Sequence, residues 1–119
     1  MFFRRRRKYN GAVAELLPEF GFDLEDAGVM KTLDVLDIAW QQGYSKHEAA
    51  LFVGYLVYSG MHKAGEGRAA DVRERIRAVQ RGWVEDGVVR AELAEQFETR
   101  MDGALGSESR LPSSSPDTG

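Results

Sequence analysis

The 119-residue chain has no cysteine, only three prolines and no long hydrophobic run. Without cysteine there is no disulfide scaffold, no thiolate zinc site and no thiol nucleophile. The most apolar stretch, Ala49 to Met61, is 13 residues long and includes Gly54, Ser59 and Gly60. A membrane-spanning helix needs about 20 apolar residues. Phe2–Lys8 resembles the charged start of a signal peptide, but Glu15, Pro18 and Glu19 interrupt the place where an apolar segment should follow. A cytoplasmic protein is the expectation.

The motifs of several enzyme classes are missing too. No GxGxxG or GxxxxGK[ST] phosphate loop occurs, and no HExxH or GxSxG signature. Asp117-Thr118-Gly119 spells an aspartic-protease triplet, but it has no second copy and ends a Ser/Pro/Gly-rich tail. It is a chance match.

What is present is helical punctuation. Asn10 is placed to cap a first helix carrying Val13, Leu16 and Leu17, which Pro18 helps to end. Glu19–Phe22 reads as a turn around Gly21, and Asp23 as the cap of a second helix with Glu25 and Asp26 in its first turn. Val29, Leu33, Leu36 and Trp40 form one apolar stripe along it, and Gly43 sits where a left-handed terminating residue belongs. Ser45-Lys46-His47-Glu48 has capping-box spacing, with Tyr44 placed to staple onto Ala49. So short a link predicts an antiparallel hairpin of helices 2 and 3.

The third helix, residues 46–63, is apolar around most of its circumference and is therefore expected at the centre. Ala50 and Gly54 offer a neighbour close approach. After Ala64–Gly67, Val72, Ile76, Val79 and Trp83 stripe a fourth helix. Asp86–Gly87 then precedes a fifth, with Leu93, Phe97 and Met101. No strand alternation and no internal repeat stands out. The expected fold is an all-α compact bundle of about five helices. Residues 1–9 form a basic N-terminal arm, 10–103 a single helical domain, and 104–119 a disordered tail.

The net charge of −3 conceals an uneven layout, because Arg4–Lys8 carry five positive charges and leave −8 for the rest. Arg4, Arg5, Arg6, Arg7 and Lys8, flanked by Phe2, Phe3 and Tyr9, suit an anionic membrane or nucleic acid. The plainer reading is a solvated arm on an acidic protein. Arg73, Arg77 and Arg81 make a second basic row at helical spacing, suited to an acidic partner or a phosphate backbone. A solvent face partly neutralised by Asp71 and Glu74 is the plainer account.

Other polar constellations are sparse. Asp34, Asp37 and Gln41 share a helical face, a pattern for cation binding or acid–base work but more simply the wet side of an amphipathic helix. His47 and His62 lie about 22 Å apart along one helix, too far to share a metal. Tyr55, Ser59 and His62 share a face of the third helix and, with Glu48, are a candidate polar pocket. No catalytic, cofactor or metal residue is assigned.

The leading expectation is a non-catalytic accessory module that binds another protein or a second copy of itself. Its interface anchors would come from among Phe20, Phe22, Trp40, Phe52, Tyr55, Tyr58, Met61, Trp83 and Phe97. The alternatives are an anionic-membrane or nucleic-acid binder working through Arg4–Lys8, and, last, a ligand- or metal-dependent bundle enzyme.

Overall fold

A computed structural model describes residues 2–21 and 29–100. Among these residues five α-helices run in chain order: α1 Phe2–Leu16, α2 Val29–Gln41, α3 Lys46–Lys63, α4 Ala69–Glu85 and α5 over residues 91–100. A 3-10 turn, Leu17–Phe20, follows α1. No strand occurs among the described residues. The all-α bundle expected from periodicity is the fold.

The helix ends follow from local chemistry. Gly43 has φ 74° and closes α2 with two backbone bonds, its own N–H to Trp40 O at 3.1 Å and Tyr44 N–H to Ala39 O at 3.1 Å. That is the Schellman arrangement, which satisfies two of the carbonyls a helix end leaves open. α3 and α4 end the same way at Gly65 and Gly87. With Gly21, the left-handed glycines fall at intervals of 22 residues. The chain thus repeats in its punctuation although its side chains do not repeat. At the start of α3, the Ser45 hydroxyl accepts from Glu48 N–H at 3.1 Å and Ser45 N–H donates to the Glu48 carboxylate at 2.9 Å. The capping box is complete.

α3 is the central element and packs against α1, α2, α4 and the 3-10 turn. Seven of its apolar side chains are buried: Ala49, Ala50, Leu51, Val53, Tyr55, Tyr58 and Met61. α4 adds Ala69, Val72 and Ile76, while Val79 and Trp83 of the same stripe are half-buried. Val89, Leu93, Ala94 and Phe97 close the core from the C-terminal side, with the Phe97 ring stacked on Phe52 at 5.4 Å. Gly54 is the point of close approach, but what approaches it is the edge of the Phe20 ring and not a backbone.

Two local expectations change. Asn10 does not cap a helix, because α1 begins at Phe2 and runs through it. Arginine is a good helix former and no proline lies between Phe2 and Leu16, so nothing starts a new helix at Asn10. The basic segment is accordingly continuous with the first helix. Tyr44 also reaches beyond Ala49, since its ring lies edge-on to Phe52 and Phe97 at 5.7 and 5.6 Å. The expected cap Asp23, the residues Phe22 and Met101, and the 104–119 tail lie outside the described residues.

Candidate functional site

The four members of the candidate polar pocket have separate engagements. Glu48 is buried and accepts from Ser45 N–H, from Arg90 N–H at 2.9 Å, and from the Arg90 guanidinium at 2.8 and 3.0 Å. Burial pushes its carboxyl up. The Arg90 guanidinium, the Ser45 and Arg90 amides and the positive charge together outweigh that and hold it at about 2. A carboxylate so fully bonded is a structural clasp and has no lone pair in reserve for a substrate. Tyr55 donates its hydroxyl to Gln80 at 2.8 Å. His62 is exposed, its ring 5.9 Å from that of Tyr58, and Ser59 is half-buried. None of these four lines the cleft described below.

The basic row on α4 is largely turned to internal use. The Arg73 guanidinium lies over the Tyr58 ring at 5.5 Å, and Arg77 pairs with Glu98 at 3.0 Å. Arg81 is exposed. Arg75, which no sequence pattern singled out, donates to the Glu19 carbonyl at 2.8 Å and so ties α4 to the 3-10 turn. Asp34 is exposed, and Asp37 accepts a long 3.5 Å bond from Gln41 on its own helix. His47 stands edge-on to Trp83 at 4.9 Å. Burial there, then the adjacent Lys46 charge, lowers its pKa.

A large concavity with aromatic walls lies between α1 and the α2–α3 turn. Its volume is about 940 Å³, and it is open to solvent. Tyr9 from α1, Trp40 from the end of α2 and Tyr44 from the turn supply the walls. Tyr9 and Trp40 meet edge to face at 5.0 Å, and the Tyr9 hydroxyl donates to the Tyr44 carbonyl at 3.0 Å. These contacts hold the rings in place, so the cleft is pre-formed. Its floor is low because α1 presents Gly11 and Ala12 there, and a Cβ built on Gly11 would meet nothing within 4 Å.

The rim is charged. Lys8 on α1 and Lys46 at the start of α3 line it, with Glu15 as its one acid. All three are exposed. Volumes of roughly 300–1,000 Å³ with mostly apolar walls and a few polar groups are typical of binding sites. Nothing in the cleft pairs a nucleophile with a base.

Sequence reasoning placed Tyr9 on the basic arm, Trp40 in the core stripe and Tyr44 at a staple, and did not join them. Gly11-Ala12, starting two positions beyond Tyr9, was the available signal for a hollow beside α1. It becomes readable only once α1 is known to begin before Asn10. Compared with family models, curated proteins and solved structures, the chain matches none.

Proposed function

We propose that this protein is a non-catalytic interaction module that takes a side chain or short segment of a partner protein, or of a second copy, into the Tyr9–Trp40–Tyr44 cleft. The observation that carries the reading is the cleft itself: aromatic walls already fixed by internal contacts, over a floor of Gly11 and Ala12. Aromatic residues give large contact area at low entropic cost, and a pre-organised site loses little freedom on binding. The remaining aromatics are mostly consumed by the core. Phe20, Tyr55, Tyr58 and Phe97 are buried, whereas Tyr9, Trp40 and Tyr44, like Phe52 and Trp83, are half-buried.

The test is amide NMR of the full chain against a panel of short peptides varied in charge and apolar content, with light scattering across concentration alongside. Peptide-dependent shifts centred on Tyr9, Trp40 and Tyr44, or a dimer that disperses when the cleft is filled by Gly11→Leu, are the expected results. A monomer at every concentration whose cleft amides respond to no peptide would overturn the reading.

A further inference from the structure

The charges around the cleft select among its occupants. We infer that the cleft takes a short acidic segment carrying an apolar anchor, a deepening that rests on the interaction-module reading above. Two exposed lysines, Lys8 and Lys46, line the cleft from different elements, one on α1 and the other at the first residue of α3. Lys8 is also the last of the five consecutive cations from Arg4, all of which lie on α1. Arg7, beside Lys8 on α1, is exposed as well. Against them the cleft sets one acid, Glu15. An apolar side chain between the rings would therefore leave its flanking residues in a strongly positive neighbourhood. Carboxylates there gain attraction without burial, which raises on-rate and selectivity.

Two other polyanions fit less well. A membrane would engage apolar side chains that project outward, whereas the cleft rings Tyr9 and Trp40 are half-buried and meet edge to face. A nucleic acid would need flat ring faces for stacking, and it would run on past the −8 carried by the rest of the chain. A short peptide has its charge only where the cations are.

The experiment uses the full chain and three fluorescein-labelled peptides with one Leu-Phe anchor, flanked by glutamates, by glutamines or by lysines. The glutamate peptide is expected to bind at least about tenfold more tightly than the glutamine peptide at low salt, an advantage that shrinks as salt rises. The double variant Lys8→Glu/Lys46→Glu should erase that advantage and make the lysine peptide bind more tightly than the glutamate peptide. Gly11→Leu fills open space in a helix, so the variant stays folded, and it should abolish binding of both.

Equal affinities for the glutamate and glutamine peptides would overturn the acidic preference and leave the module reading standing. No binding by any of the three, in a protein that stays monomeric, would remove both. Anionic vesicles or a single-stranded oligonucleotide that displace the glutamate peptide, and still bind the Gly11→Leu variant, would assign the cations to that polyanion instead.

Discussion

The Glu48 carboxylate and Arg90 are joined by three hydrogen bonds, one from the Arg90 backbone and two from its guanidinium, at 2.8 to 3.0 Å. The same carboxylate completes the cap of α3 through Ser45 N–H. One side chain thus closes a helix start and fastens the α4–α5 connection to it. The Ser45 hydroxyl adds a bond to Val88 O at 3.1 Å in the same connection.

Replacing Glu48 by Gln should destabilise the protein by about 2–4 kcal/mol, because an amide turns a donor toward the donors of Arg90 and leaves buried groups unpaired. Urea unfolding reads this as a lower midpoint at unchanged slope. A midpoint equal to wild type would show that the clasp contributes nothing.

Acid should dissolve the same contribution. The Glu48 carboxyl sits at about 2 in the fold, against 4.5 ordinarily. The folded state therefore prefers the ionised form, so the stabilisation is complete above pH 4.5 and is lost as pH falls toward 2. The stability gap between wild type and Glu48→Gln is expected to close across that window. His47 adds a smaller effect of the same sign. Its lowered pKa means that stability begins to fall as pH drops below 6.5.

Two glycines on α3 should respond oppositely to alanine. A Cβ on Gly54 would stand 3.1 Å from the buried Phe20 ring, so Gly54→Ala is expected to cost about 1–3 kcal/mol. Gly60 is exposed on the same helix with open space around it, and Gly60→Ala should stabilise by about 0.5–1 kcal/mol. Thermal melts of the two variants moving in one direction would contradict the packing described.

Tyr9→Phe removes the hydroxyl that donates to Tyr44 O and keeps the ring against Trp40. The expected loss is about 0.5–1.5 kcal/mol. Hydrogen exchange should localise it, with faster exchange in α1 and unchanged protection in α4. A uniform change in protection would mean that the bond does not position α1.

Much of the fold was legible because helix punctuation is written in neighbouring residues. Ser45 and Glu48 are three apart, Gly43 follows its helix directly, and the stripes of α3 and α4 recur within single helices. The start of α1 was misplaced because Asn10 is a good cap in isolation, while the helix-forming arginines before it were read only as charge. The roles of Arg73 and Arg77 were hidden for another reason, since Tyr58 and Glu98 belong to other helices.

The candidate site was legible only in pieces. By itself, the sequence determined an all-α chain, its turns and the central place of α3. These depend on contiguous residues, where periodicity and capping chemistry operate. Tertiary structure decided that Glu48 is a clasp and not a pocket acid, and that Tyr9, Trp40 and Tyr44 share one cleft. Tyr9 meets Tyr44 across 35 residues and Glu48 meets Arg90 across 42. Contacts of that separation are set by how helices cross, which packing of the whole core decides and no local pattern encodes.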